Sequence, residues 1–310
     1  MNPYQAAREG VTFRRRHERA VLRVTGKDRL AWLQGLLTND VTQAVNGSGA
    51  YSAWLTPNGR MITDAIVVDS GSETFLEVPA PLASTLAARL DGLVFTEDVR
   101  IEDASTMFTS VGIYGPDAES AIAAILPQVI AADIVRTRGF ATGLAGLHLI
   151  APTTQAAGVL ESLSHGGAVP LDDPSALLLR IEAGVPAFLV DMDEETIPLE
   201  AGLDHALSHT KGCYVGQEII VRIRDRAHGR VARRLVGLRL AGDTLPTAPR
   251  ALTHDGRNAG RLTSIAASPV LGGVIALATV PREFAEPGAS VTIDDAGVAT
   301  VHALPFVSSS

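Results

Sequence analysis

The chain has 310 residues, 26 basic and 34 acidic side chains and a net charge of −8, with 46% hydrophobic and 19% charged residues. That length suits two domains of about 150 residues, or three if one is small, and the apolar share excludes wholesale disorder. One cysteine excludes a disulfide scaffold or a multi-cysteine zinc site and fits a reducing compartment, while the overall acidity argues against a dedicated sequence-reading nucleic-acid binder.

From the N-terminus, residues 1–19 are polar and Arg-rich without an apolar h-region, so no secretory signal is expected. Residues 20–24 read as a strand, and Asp28 is the expected N-cap of a helix with Leu30, Leu33 and Leu37 on one face. Residues 51–55 and 60–68 read as two strands of a hairpin around the turn Thr56-Pro57-Asn58-Gly59. A strand over 73–78, a helix over 81–90, a strand over 106–114 and a helix over 116–126 follow. Residues 144–150 then read as strand, and 153–163 and 173–182 as helices. Strands mixed with single helices predict α+β lobes of the split-βαβ kind rather than a doubly wound sheet. Past 230 the texture changes to short β-like runs at 231–240, 260–266, 272–280, 289–294 and 298–304, which predict a small antiparallel barrel or sandwich. The domains are therefore expected to be 1–230 and 231–310, with a frayed tail over 308–310. The longest apolar candidate, 270–280, is shorter than the roughly 18 residues of a membrane span, so a soluble, cytoplasmic protein without a membrane partner is expected.

No nucleophile elbow, Walker loop, H-E-x-x-H or G-x-G-x-x-G after a strand occurs in the chain. His205 and His209 stand four apart, but no third metal ligand is evident beside them, and surface histidines are the plainer reading. The sharpest motif is Lys211-Gly212-Cys213-Tyr214-Val215-Gly216-Gln217-Glu218. It places the sole cysteine two residues from one of only two lysines, Lys27 being the other. A neighbouring ammonium would favour thiolate over thiol, so Cys213 reads either as a reactive thiol or as a buried structural cysteine. Arg222, Arg224 and Arg226 at period two would share one face of an extended strand, suiting an anionic partner or simply protecting an edge. Asp64, flanked by Ile62 and Ile66 on its strand face, is either held structurally or poised as a ligand or proton acceptor. Arg180, in an apolar helix, reads as a buried ion pair or a ligand contact.

The octapeptide at 211–218 resembles the signature of YgfZ-type folate-binding proteins, relatives of the glycine-cleavage T-protein (aminomethyltransferase). The segments Leu33-Gln34-Gly35-Leu36-Leu37-Thr38-Asn39-Asp40-Val41, Pro57-Asn58-Gly59-Arg60, Arg180-Ile181-Glu182-Ala183-Gly184 and Ile197-Pro198-Leu199-Glu200-Ala201-Gly202-Leu203 follow in that superfamily's order. The resemblance implies two interleaved ferredoxin-like lobes plus a C-terminal antiparallel β-barrel, arranged as a ring around a central channel that holds tetrahydrofolate. It implies folate contacts at Asp64 and Arg180, and residues essential to YgfZ-type function at Lys211 and Cys213. Gln217, Glu218 and Arg222 are candidate folate-binding residues beside them, with the arginines offered to the glutamate tail. One departure stands out: where T-proteins carry R-T-G-Y-T-G-E-D-G, with a glutamate that clamps the pterin, this chain has Arg138-Gly139-Phe140-Ala141-Thr142-Gly143-Leu144-Ala145-Gly146, without a carboxylate. The expected function is therefore tetrahydrofolate-dependent assistance to iron–sulfur cluster assembly or repair, and to the tRNA modification that depends on clusters. Iron–sulfur proteins or cluster carriers are the expected partners. The alternatives are a folate-dependent aminomethyltransferase and a non-catalytic adaptor for RNA or protein.

Overall fold

The hairpin turn at 56–59 sets the register of the first sheet in the computed structural model, which describes residues 1–310 except 130–133, 140, 227, 243–244, 295 and 309–310, and except the side chains of 125–129. Phe140 of the stretch without a carboxylate, the side chains of Ile125 and Leu126 in the expected helix and the last two residues of the expected frayed tail thus fall outside the description. The chain forms two compact units. Unit 1 comprises residues 1–140, 144–172 and 205–217; unit 2 comprises 141–143, 173–204 and 218–310.

Unit 1 runs α1 (Pro3–Glu9), β1 (Thr12–Arg15), β2 (Arg19–Thr25), α2 (Arg29–Leu36), β3 (Ala50–Leu55), β4 (Met61–Asp69), β5 (Thr74–Pro79), α3 (Ala83–Asp91) and β6 (Arg100–Asp103). It continues with β7 (Phe108–Tyr114), α4 (Ala118–Val129), β8 (Val135–Arg138), β9 (Gly146–Pro152), α5 (Thr153–His165) and the two-residue β10 (Val169–Pro170). The strands form two five-stranded sheets, ordered β3-β4-β5-β2-β6 and β10-β1-β7-β9-β8. Period-two alternation decides which face each strand gives to which layer. In β2, Ala20, Leu22 and Val24 pack with Leu33 and Leu37 of the α2 segment and with Leu86 and Leu90 of α3. In β7 and β9, Val111, Ile113, Leu147 and Leu149 pack with Ile122, Val159 and Leu163 of the helices on the second sheet. The intervening residues face the other sheet, where Val21, Val68, Phe75, Val135 and Ile150 form a small apolar cluster.

Beside that cluster lies a buried polar one. Glu77 of β5 pairs with Arg16 Nη1 and accepts from Ser110 Oγ of β7 at 2.5 Å. Arg16 Nη1 also donates to His148 Nδ1 of β9 at 2.7 Å, so the imidazole carries its proton on Nε2. Arg16, Glu77, His148 and Ser110 are all at most 3% exposed. Burial alone would raise the Glu77 carboxyl, but the Arg16 guanidinium, with Ser110, overrides it and holds Glu77 well below the usual carboxylate range. Burial, helped by the Arg16 charge, pulls His148 down to about 4. Glu77 and His148 reach this cluster from opposite sheets, so it is the polar bolt of unit 1.

Unit 2 holds α6 (Asp173–Glu182), all of α7 (Gln217–Val221) beyond its first residue, and the strands β11 (Arg233–Leu240), β12 (Arg250–His254), β13 (Arg257–Ser268), β14 (Gly273–Pro281), β15 (Ser290–Ile293) and β16 (Gly297–His302). These strands close into an antiparallel barrel in the order β11-β14-β13-β12-β15-β16, with β16 returning to β11. Alternate residues Val236, Leu238 and Leu240, then Val274, Ala276, Ala278 and Val280, fill its interior. The tail is seated as far as Val307: Phe306 N and Val307 N donate to Glu182 O at 2.8 and 3.1 Å. The Phe306 ring lies over Gly237, where an added Cβ would meet it at 2.5 Å. The fold is α+β with a closed C-terminal barrel, as the pattern of strands and helices predicts.

Two local expectations are corrected. Asp28 occupies the N-cap of α2 but makes no side-chain cap bond; its carboxylate instead accepts from Asp98 N at 2.8 Å, because the incoming loop claims it. Residues Arg222–Arg226 are not extended: they form a π-helical turn continuing α7, with Glu218 and Arg222 paired across four residues at 2.8 Å. The arginines at period two therefore do not share a strand face.

Candidate functional site

Asp64 is placed by the β3–β4 hairpin. Thr56 N donates to Arg60 O at 2.8 Å and Gly59 N to Thr56 O at 2.9 Å, with Gly59 at φ +73°. The register pairs Ala53 with Asp64 and Tyr51 with Ile66, so Tyr51 and Asp64 are diagonal neighbours on one face. Tyr51 Oη donates to Asp64 Oδ2 at 2.9 Å, and Arg19 Nη1 donates to Oδ1 at 2.9 Å. Arg19 Nη2 is itself fixed on Glu77 O at 2.7 Å, one bond from the polar bolt. Burial, reinforced by the Asp64 carboxylate, pushes the Tyr51 phenol well above its usual range, so it stays a donor. The His205 ring stacks on Tyr51, with centroids 5.4 Å apart and planes 19° from parallel.

Asp64 is 4% exposed, and each of its oxygens holds one donor. A carboxylate oxygen has two lone pairs, so each can accept one further N–H from a bound molecule. Arg19 and Tyr51 were not singled out in the sequence. The hairpin register carries the signal for Tyr51; Arg19 comes from a strand far away in sequence and leaves none.

Lys211 reaches back to the end of α2. Its Nζ donates to Gln34 O and Leu37 O at 2.6 Å each and to Asn39 O at 3.0 Å, all at the end of α2. Burial pulls its pKa down to about 8 against the opposing pull of the Asp40 carboxylate, so at neutral pH it remains an ammonium. Its three protons are committed to carbonyls, while its positive charge remains. Cys213 itself is exposed, which removes the alternative of a buried structural cysteine. Tyr214 next to it is buried at 7% exposure. Gly216 follows at φ +84°, and a Cβ there would approach Thr56 O to 2.6 Å, so the loop presses against the hairpin turn. Gln217 closes unit 1 and opens α7, half-buried.

In unit 2, Arg180 is an ion-paired strut. It pairs through Nη1 with Asp191, donates to Val185 O at 2.9 Å, and reaches Ser264 Oγ through Nη2 at 2.7 Å. Asp191 also accepts from Ala187 N at 2.9 Å, Thr263 Oγ1 at 2.5 Å and Ser264 Oγ at 2.7 Å. Glu218 and Arg222 are exposed and paired with each other. Among the described residues no group of His, Cys, Asp and Glu is arranged to hold a metal ion, and no helix is long and apolar enough to cross a membrane.

Residues 3–211 match the family model described as the GCVT N-terminal domain, and residues 233–308 match the glycine cleavage T-protein C-terminal barrel domain. The chain belongs to the glycine cleavage T-protein family. Similar T-protein relatives include the aminomethyltransferase of Rubrobacter xylanophilus, 30% identical with 91% of this chain and 79% of the relative covered. The aminomethyltransferase of Nostoc sp. is 29% identical, with 92% and 81% covered. The glycine cleavage system aminomethyltransferase T from Bartonella henselae, a solved structure, shares the T-protein fold at a TM-score of 0.86 and 21% identity, covering 98% of this chain and 88% of that one.

Proposed function

We propose that this chain binds a tetrahydrofolate and serves, like the YgfZ-type proteins its octapeptide resembles, in iron–sulfur cluster assembly or repair through Cys213. The observation that carries this reading is the exposed thiol on a loop held at both ends, at Lys211 and at Gly216. T-proteins proper lack the Lys-Gly-Cys sequence. Folate binding is supported by membership of a family whose transferases use tetrahydrofolate as substrate, and by an Asp64 carboxylate with one lone pair open on each oxygen. Arg180, Gln217, Glu218 and Arg222 are the further proposed folate contacts. One cysteine cannot hold a cluster, which ordinarily takes four thiolate ligands, so the cluster is cargo passed to or from an iron–sulfur partner. Enzymes that need such clusters, tRNA methylthiolation among them, feel the effect downstream.

A second reading is aminomethyl transfer to tetrahydrofolate, favoured by the names of the relatives. Against it stands the stretch 138–146, which lacks the carboxylate that clamps the pterin in T-proteins. Losing a charged acceptor for paired N–H donors costs on the order of 1.5–3 kcal/mol. Asp64 also meets any substrate with Arg19 and Tyr51 already bound to it. The test is replacement of Cys213 by Ser in cells under oxidative stress, with cluster-enzyme activity as the readout. We expect a loss of several-fold; full activity in the Cys213→Ser strain, together with turnover of an aminomethylated carrier protein by the purified protein, would establish the second reading instead.

A further inference from the structure

We infer that Lys211 is a positioning residue: its ammonium latches the loop 208–216 onto the C-terminal end of α2 and thereby fixes where Cys213 is presented. The inference rests on the reading of Cys213 as the working thiol, but its test is independent of that reading.

The last turn of any α-helix leaves carbonyls without intrahelical partners. α2 ends without the usual remedies. Its C-cap, Leu37, is extended at φ −93° and ψ 151°, not a left-handed glycine, and its last turn carries no basic residue. Lys211 arrives from 174 positions along the chain to meet Leu37 O and supplies what is missing. Three ammonium protons meet three carbonyls, from Gln34, Leu37 and Asn39, within 3.0 Å. A positive charge there also opposes the negative end of the helix dipole.

The choice of lysine is informative in this chain. Only two of its 26 basic residues are lysines. A guanidinium is a planar fork, suited to two parallel acceptors; an ammonium is a point with three tetrahedral donors, suited to acceptors that converge. The site asks for the second geometry.

The rest of the loop stem interlocks with the same segment. Ser208 N donates to Thr38 O at 3.0 Å, Thr38 Oγ1 to Ala206 O at 2.6 Å, and Asn39 Nδ2 to His205 O at 3.1 Å. At the other end Gly216 presses on Thr56. Between these anchors Tyr214 is buried, its ring centroid 5.3 Å from Nζ, while Cys213 is exposed. The latch thus holds the thiol out to solvent.

Hydrogen exchange followed by mass spectrometry tests this. In Lys211→Met, amides of 208–216 and of 34–39 are expected to exchange at least tenfold faster, with the barrel strands unchanged. In a Lys211→Cys/Cys213→Ser background, aminoethylation with bromoethylamine rebuilds an ammonium at position 211 and is expected to restore protection, whereas the neutral carbamidomethyl adduct is not. Lys211→Gln, with two donors and no charge, serves as the milder variant if Lys211→Met does not fold, and is expected to lie between. Wild-type exchange in Lys211→Met or Lys211→Gln, or equal protection by both adducts, would overturn the latch.

Discussion

Replacing Glu77 by Ala is expected to destabilise unit 1 by about 3–5 kcal/mol, because it removes the nearer of the two carboxylates that pair with the buried Arg16. Arg16 is 3% exposed and would keep the neutral His148 and Ser110, with the half-exposed Glu18 at 3.5 Å from Nε as its remaining counter-charge. At roughly 2–4 °C per kcal/mol for a unit of this size, the melting temperature should drop by on the order of 10 °C. Removing both charges with Arg16→Met/Glu77→Leu should recover most of the loss, since an apolar pair of similar volume avoids the desolvation that the ion pair has to offset. A Glu77→Ala loss below about 1 kcal/mol would show that solvent reaches the cluster. The same cluster sets the acid response. His148 titrates near 4 in the fold against 6.5 in its unperturbed state, so between those values the unfolded chain binds more protons and stability falls as pH falls. Glu77, held below its ordinary range, adds stability that is present above about 4.5 and is lost on further acidification. Urea midpoints measured from pH 7 downward should therefore decline through the histidine window and go on declining below it, where Glu77 takes over from His148. The His148→Gln variant should flatten the first part alone.

The second large effect is expected at Asp191 in unit 2. Its carboxylate is fully buried and gathers Arg180, Ala187 N, Thr263 and Ser264 around two oxygens. Asp191→Ala leaves a mostly buried guanidinium, two hydroxyls and a backbone N–H without their acceptor, for a loss of about 3–5 kcal/mol. Asp191→Asn keeps one acceptor oxygen and should lose about half as much. Differential scanning calorimetry on the two variants checks both numbers, and an Asp191→Ala midpoint within 2 °C of wild type would contradict the strut. The consequence reaches function: if Arg180 touches folate, its position is set by Asp191, so Asp191→Asn should weaken folate binding more than its stability loss explains.

Much of this architecture was legible because it is written in periodicity. The Asp173–Glu182 helix, the hairpin around residues 56–59 and the barrel strands other than β12 follow from alternation, turn chemistry and glycine placement. The strands that escaped notice are β1, β6, β8, the two-residue β10 and β12 of the barrel, none longer than five residues, and three of them are strongly charged. β1 reads Thr-Phe-Arg-Arg, β6 Arg-Ile-Glu-Asp and β8 Val-Arg-Thr-Arg, and the last two lie at sheet edges, where charge protects an open ladder and hides the strand signal. The misread arginine run shows the opposite failure. Period-two spacing is compatible with a strand, but Glu218 and Arg222 four apart extend the preceding helix into a π-helical turn. For the site, Asp64 and Arg180 stood out as charges among apolar neighbours, and both are tied by ion pairs. The role of Lys211 was out of reach, since backbone carbonyls contributed by residues 34–39 leave no trace in side-chain identity.

The central claim is that a reduced folate binds where Asp64 can accept its N–H groups. Anaerobic titration with tetrahydrofolate, followed by the fluorescence of Trp32 and Trp54 in unit 1, tests it most directly. The account predicts saturable one-to-one quenching that weakens at least tenfold in Asp64→Asn. Absence of saturation, or equal affinity in wild type and Asp64→Asn, would contradict it.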